Sequence, residues 1–260
     1  MLTEEFVSKV RTALNEMQSI SLSEMDSVEL MNRFDTKYIF SAERLLEILT
    51  LVKNDYRVLE VKGVRLNRYN NLYFDTSDYK FFNEHHNKKA NRLKVRYRKY
   101  ADSGVTFFEV KKKNNKDKTE KYRISCSEIP DNLDEAAKVV LKGLSAGLDV
   151  NLLIPIQRND FYRMTLVNTR TYERATIDID LSFRNNENKI SLPNLVVAEV
   201  KQDVHSGISP ISRKLKEEKI YPTSVSKYIL GELLLNDSLK RNNFKTKLHN
   251  IKKIEHALSA

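Results

Sequence analysis

The segment Arg92-Leu93-Lys94-Val95-Arg96-Tyr97-Arg98 puts a cation at every second position. At the two-residue period of a β-strand all of these cations leave from one face, and Leu93, Val95 and Tyr97 leave from the other. A sheet containing this strand must therefore bury one side and keep the other charged. The solvated side of an ordinary strand would meet that condition if the row stood alone. It is repeated, however, in Arg33-Phe34-Asp35-Thr36-Lys37, Phe107-Phe108-Glu109-Val110-Lys111, Lys121-Tyr122-Arg123, Ile177-Asp178-Ile179-Asp180 and Glu199-Val200-Lys201. Strands that each carry one charged and one apolar face suggest a closed barrel with a charged interior.

A chain of 260 residues is long enough to bury a core, and a single domain over residues 1–260 is expected. Hydrophobic residues at 40% and charged residues at 31% describe a soluble globular protein, not a disordered one. Lys and Arg outnumber Asp and Glu by 45 to 35, a formal charge of +10, so an acidic partner is expected. Phosphate chains, nucleic acids and anionic lipid surfaces all qualify. A single cysteine, Cys126, excludes an intramolecular disulfide framework and a cysteine-based zinc cluster, which points to a cytoplasmic setting. The acidic start, Met1-Leu2-Thr3-Glu4-Glu5-Phe6, is unlike a secretory signal. Apolar stretches such as Leu195-Val196-Val197-Ala198 fall far short of the roughly 20 residues that span a bilayer, so membrane association is expected only through a partner.

Apolar spacing predicts an amphipathic helix over residues 3 to 17 and a second one, capped by Ser41, with Leu45, Leu46, Ile48, Leu49 and Val52. Strands are predicted at Met31 to Phe40, Leu66 to Phe74, Arg92 to Tyr100, Val105 to Lys113 and Lys121 to Cys126. Asp102-Ser103-Gly104 and Asn114-Asn115-Lys116-Asp117 read as hairpin turns, making the last three strands an antiparallel meander. After a helical insert near Leu133 to Leu148, strands resume at Leu153 to Val167, Thr171 to Phe183 and Leu195 to Asp203. The tail is helical at Ile211 to Lys219, Ser226 to Asn236 and Lys240 to His256.

Several chemistries are absent from the sequence. It has no glycine-rich phosphate loop and no Gly-x-Ser-x-Gly elbow, and its histidines, including the pair His85 and His86, lack zinc-ligand spacing. Electrostatics remain. Phosphoryl transfer needs alignment of oxygens and cations that spread charge, with little covalent help from protein. Arginine grips two phosphate oxygens while lysine offers a movable point charge, a mixture that suits a chain that must bind and slide. Asp35, Glu109, Asp178, Asp180 and Glu199 could hold Mg²⁺ or Mn²⁺ together with phosphate oxygens, or could simply neutralise their cationic neighbours.

These residues give the chain a family likeness. It resembles the polyphosphate polymerase domain of the vacuolar transporter chaperone (VTC) family, in its bacterial form, within the triphosphate tunnel metalloenzyme superfamily. The likeness rests on Arg33-Phe34-Asp35-Thr36-Lys37-Tyr38, Leu72-Tyr73-Phe74-Asp75-Thr76, the Arg92–Arg98 row, Phe108-Glu109-Val110-Lys111, Thr171 to Asp180 with Glu173-Arg174, Glu199-Val200-Lys201 and Ser226-Lys227-Tyr228, taken in that order. The resemblance implies an α+β fold: a closed, antiparallel, eight-stranded tunnel-like barrel with a charged lumen, helices outside and a C-terminal helical segment. It implies transfer of the ATP γ-phosphate to a growing polyphosphate chain with Mn²⁺ or Mg²⁺, and a membrane-protein partner for the product. By motif, Lys37, Arg96, Arg98, Lys111, Arg163 and Arg174 would be catalytic, and Arg92, Lys94, Lys121, Arg123, Lys201, Ser226 and Lys227 would bind substrate. Glu199, with Asp35 and Glu109, would hold the metal. Ser226 suits the role independently, since a helix N-terminus attracts phosphate, although it could equally be a plain cap.

The chain departs from the superfamily's hydrolases in one place and from its own branch in two. Arg33 stands where the superfamily's hydrolases carry a first metal-binding carboxylate, which favours the polymerase branch. Ser224 stands where the branch usually has a lysine, and no arginine is in register near His85-His86. A triphosphate hydrolase on the same barrel and a non-catalytic sensor of polyphosphate or inositol pyrophosphate are the rival functions. Nucleic-acid binding is a weaker one, because the aromatics form no stacking platform.

Overall fold

A computed structural model describes residues 2–26, 33–115, 119–145, 147–203 and 209–256. Its helices are α1 (Glu4–Asn15), α2 (Leu22–Asp26), α3 (Glu43–Val52), α4 (Lys80–His86), α5 (Glu135–Leu144), α6 (Pro210–Glu217), α7 (Lys227–Leu235) and α8 (Lys245–His256). Its strands are β1 (Ser19–Ile20), β2 (Arg33–Ser41), β3 (Arg57–Leu59), β4 (Asn67–Thr76), β5 (Arg92–Tyr100), β6 (Thr106–Lys113), β7 (Thr119–Cys126), β8 (Leu153–Asn168), β9 (Glu173–Arg184), β10 (Lys189–Leu192) and β11 (Leu195–Asp203). The main sheet runs β2-β11-β9-β8-β4-β5-β6-β7, and each of these neighbours is antiparallel to the next. Among the described residues no ladder joins β2 to β7, so hydrogen bonds do not close these eight strands into the expected barrel.

The alternation seen in the sequence decides which helix covers which strand. Tyr38, Phe40, Ala198, Val200, Ala175, Ile177, Met164 and Leu166 turn to one side and form a core with Val10 and Leu14 of α1, Leu45, Ile48 and Leu49 of α3, and Ile211 and Leu215 of α6. On β5 and β6 the same side carries Leu93, Val95, Tyr97, Phe108 and Val110, packed on Ala137 and Leu141 of α5 and on Phe81 of α4. Burying such side chains stabilises each contact by roughly 1.5–3 kcal/mol per large residue. Cys126 packs against this second core. The charged side ends in an apolar floor of Tyr69, Phe161 and Val197, over which Leu230 and Leu235 of α7 and Ile251 of α8 are seated. Helix α7 comes so close to β8 that a β-carbon on Gly231 would overlap the Gln157 side-chain amide, which would have to shift from its bonds to Tyr228 O and Glu232.

Some expectations need correction. Strand β2 runs through Ser41, and Ala42, not Ser41, precedes α3, with no side-chain cap. The predicted helix at Lys240 starts later: a 3₁₀ turn, Asn242–Phe244, leads into α8. The alternation of Ile177 to Asp180 breaks at its last member. Asp180 has a φ of 53°, opposite the register shift in β8 between Asp160 and Tyr162, and its Oδ1 accepts the Leu2 N–H at 2.8 Å, away from the charged side. The start of the first strand at Met31 and the Lys116-Asp117 half of the second hairpin turn lie outside the described residues.

Candidate functional site

Strand register sets the expected charges side by side. Across β5, β6 and β7, Lys94 is opposite Lys111 and Lys111 is opposite Lys121, which places three lysines abreast. One step along, Glu109 stands between Arg96 and Arg123. Arg96 donates to Glu109 Oε2 through Nε (2.9 Å) and Nη2 (2.6 Å), and Arg123 donates to Oε1 at 3.1 and 2.7 Å. Lys121 Nζ is 3.0 Å from Oε1, and Arg98 Nη1 is 3.9 Å from Oε2. Burial opposes a charge on Glu109, yet Arg96, Arg98, Lys121 and Arg123 outweigh it and hold the carboxyl far below the usual range.

On β2, β11, β9 and β8 the signs alternate instead. Lys37 is opposite Glu199 (2.9 Å), Asp35 is opposite Lys201 (2.7 Å), and Arg163 is opposite Asp178, to which it donates two bonds of 2.6 and 2.8 Å. Lys201 also reaches Glu199 at 3.1 Å, and Arg33 reaches Asp35 at 3.4 Å. Lys227, the first residue of α7, pairs with Asp178 and lies 4.5 Å above the Phe161 ring. Burial would raise the pKa values of Glu199 and Asp178, but Lys201 and Lys37 outweigh it at the first, and Arg163 and Lys227 at the second.

These two groups of strands meet across the charged side. The Thr223 N–H donates to Lys37 O (2.7 Å) on β2, and three residues later Ser226 Oγ accepts from Lys94 Nζ (2.9 Å) on β5. Ser226 occupies the cap position of α7, but its side chain makes no capping bond. Desolvation, with the charges of Lys111, Arg92, Lys37 and Arg96, pushes the Lys94 ammonium down to about 7. Lys111 falls to about 8, chiefly by desolvation, with Glu199 opposing and Arg96, Lys201 and Lys37 adding to the fall.

Two expected residues are turned toward backbone. Arg174 is level with Lys201, but its Nη2 donates to Met25 O (3.3 Å) at the end of α2, and Arg92 Nη1 donates to Lys89 O (2.6 Å). Conversely, a polar chain that sequence reasoning missed supports the arginines. Arg98 Nε donates to Asn71 Oδ1 (2.9 Å), Asn71 Nδ2 to Asn159 Oδ1 (2.9 Å), and Asn159 Nδ2 to Gln157 Oε1 (3.3 Å). Gln157 Nε2 in turn donates to Tyr228 O and Glu232 Oε1, both at 2.9 Å. Tyr73 OH accepts from Arg96 and Tyr100 OH from Arg123. Asp75 accepts from the Phe81 and Phe82 N–H groups and from Tyr228 OH, which ties α4 to α7. The visible signal was parity: Tyr69, Asn71 and Tyr73 share one face of β4.

Among the described residues no group of three or more His, Cys, Asp or Glu side chains is arranged to hold a metal. Mg²⁺ and Mn²⁺ in phosphate sites commonly take one or two carboxylates, with phosphate and water oxygens completing the shell. Asp35 and Glu199, joined through the Lys201 ammonium, fit that requirement. Glu109 fits poorly, because a cation there would displace a guanidinium from either oxygen.

A family model described as the VTC domain matches residues 32–236. No curated relative matches the sequence. Similar solved structures include an adenylate cyclase candidate from Vibrio parahaemolyticus, 13% identical, covering 77% of this chain and 99% of its own, with a TM-score of 0.45. Another from Bacillus halodurans is also 13% identical, over 75% of this chain and 94% of its own, at 0.45. A third, from Hippeastrum and described as having a dominant triphosphatase activity, is 13% identical over 79% and 97%, at 0.48. Among the described residues no helix is long and apolar enough to cross a membrane.

Proposed function

The chain belongs to the VTC-domain family, and on that premise we propose that it is a polyphosphate polymerase, moving the γ-phosphate of ATP onto inorganic polyphosphate. In this proposal the eight strands enclose the substrate as a tunnel, and delivery of the product to a membrane-protein partner belongs to the same proposal. The observation that carries it is the row Lys94–Lys111–Lys121. Like charges directly opposite on neighbouring strands are destabilising, so such a row suits a ligand that is itself a line of negative charges.

The terminal oxygen of the chain attacks the γ-phosphorus, a new P–O–P bond forms, and the bond to the β,γ-bridging oxygen breaks to release ADP. The attacking oxygen is already anionic, so no general base is needed. Arg96 is held by Glu109 and Tyr73, Arg98 by Asn71 and Arg163 by Asp178, so three fixed guanidinium groups are there to grip equatorial oxygens as charge spreads over the transferred group. Lys94, Lys111, Lys121 and Arg123 guide the growing chain, with Lys37, Lys201, Ser226 and Lys227 opposite. Glu199 with Asp35 is the place for Mn²⁺ or Mg²⁺, whose contribution when bound is to neutralise phosphate charge.

Incubation of the purified protein with ATP and Mn²⁺, followed by a gel that resolves phosphate oligomers, tests this. A ladder is expected. Free phosphate alone would make the protein a hydrolase, and unchanged ATP with tight tripolyphosphate binding would make it a sensor.

A further inference from the structure

Lys247 lies on α8, beyond the end of the family match at residue 236, yet the fold returns it to the charged side. Its Nζ is 2.9 Å from Ser224 Oγ, and Ser224 stands two residues before Ser226, whose Oγ holds Lys94. The anchoring is specific. Asn243 Nδ2 donates to His86 O (3.1 Å), Phe244 meets the His86 ring at 5.7 Å, the Lys247 ammonium sits 5.3 Å from the Phe244 ring centre, and Ile251 is buried in the floor. Among the described residues no carboxylate neutralises Lys247.

His85 is the second, independent observation. Its Nδ1 is buried and has no partner among the described residues. The charges of Lys94, Arg92 and Lys247 all bear on the ring and, after desolvation, push it down to about 3, so the imidazole is neutral and can donate one N–H. A strip of polar groups thus runs outward from Lys94 and Ser226 to Ser224 and Lys247, and the charges of Lys94 and Lys247 reach the His85 ring.

Resting on the polymerase proposal, we propose that Lys247, Ser224 and His85 form an outer subsite for the phosphates of an inorganic polyphosphate chain that extend past the deep site on Arg96 and Arg163. A tripolyphosphate held by the deep arginines is too short to use it. A long chain runs over it.

Titration calorimetry with tripolyphosphate and with long-chain polyphosphate separates the two. Lys247→Met keeps an apolar stem on Phe244 and is expected to weaken long-chain binding about five-fold, the loss of one charge-assisted contact, with tripolyphosphate unchanged. Lys252→Met, at an exposed position of the same helix, removes the same charge and should change neither. Equal weakening for both ligands, no weakening at all, or the same effect from Lys252→Met would overturn the subsite. The wild-type protein gives a check that needs no variant: the His85 imidazole signals should move with long-chain polyphosphate and stay put with tripolyphosphate, and the reverse pattern would be equally fatal. A wild-type protein that binds neither ligand removes the polymerase proposal itself, whereas normal binding with an indifferent Lys247→Met removes the subsite alone.

Discussion

Two walls of one sheet handle charge differently. On the charged side of β2, β11, β9 and β8, Lys37 faces Glu199, Lys201 faces Asp35 and Arg163 faces Asp178, while Arg174 is turned to Met25 O. On β5, β6 and β7, among the described residues, Glu109 alone stands against Arg96, Arg98, Lys121 and Arg123, and the neighbouring lysine row has no carboxylate within it. The alternating wall is satisfied without ligand. The cationic wall is not, and the two lysines whose pKa values fall to about 7 and about 8 both belong to it. Both walls were built from the same one-face-charged alternation, so function separates them through cross-strand register, which alternation alone does not specify.

Substituting one residue in each wall would break the comparison most sharply. Arg96→Ala should lower polymer synthesis by about 10³-fold, because it deletes a preorganised cation aimed at the transferring group. Tripolyphosphate affinity should fall with it, and Glu109 keeps Lys121 and Arg123 as partners, so the fold should persist. Glu199→Gln in the alternating wall should abolish the Mn²⁺ response of the ladder assay while leaving tripolyphosphate affinity intact or raised, since Lys37 and Lys201 are released. If Arg96→Ala is stable and fully active, the cationic wall is not where phosphate transfers. If Glu199→Gln keeps normal Mn²⁺-dependent synthesis, the metal sits elsewhere.

Parity was legible in the sequence, and distance was not. The face occupied by Arg92 through Arg98 follows from spacing alone, as does the inward side of β11. Whether Lys94 would meet Lys111 or a carboxylate depended on hairpin register, and its meeting with Ser226 depended on a chain separation of 132 residues. Arg174 had the right parity, yet its guanidinium serves Met25 O because a five-residue helix too short to show periodicity lies there. Asp75 stood within a quoted motif, but its role as the anchor of α4 required knowing that a helix starts at Lys80. Asp180 failed because a backbone bulge inverts alternation without any glycine or proline to announce it.

The depressed lysines sharpen the comparison through pH. At pH 8 Lys94 is mostly neutral and Lys111 about half charged, whereas a bound polyanion favours both ammonium forms. Binding at pH 8 should therefore take up roughly one proton, and affinity should fall as pH rises from 7 to 9. At pH 6 both lysines are already charged and the uptake should vanish. Calorimetry in buffers of differing ionisation enthalpy reads this directly. Proton release, or an uptake that persists at pH 6, would show that the lysine row is not the binding surface.

Glu109 and Glu232 give the smallest and cleanest contrast, since both are buried carboxyls at 2% exposure and shift in opposite directions. Cations pull Glu109 down. Glu232 on α7 has none among the described residues: desolvation pushes it up to about 7, with the Gln157 hydrogen bond opposing and Asp75 adding to the rise. A folded pKa raised above the unfolded value means that the fold holds this proton more tightly than the open chain does. The resulting stability is fully present below about pH 4.5 and is lost as pH rises through 7. Glu232→Gln cannot ionise and keeps an oxygen for Gln157, so it should be more stable than wild type by about 3 kcal/mol at pH 8, an advantage that shrinks toward zero near pH 4.5. Urea melts at the two pH values measure the difference. A gap of the same size at both would mean that packing beside Gln157, and not the charge of an isolated carboxyl, sets the cost of this position.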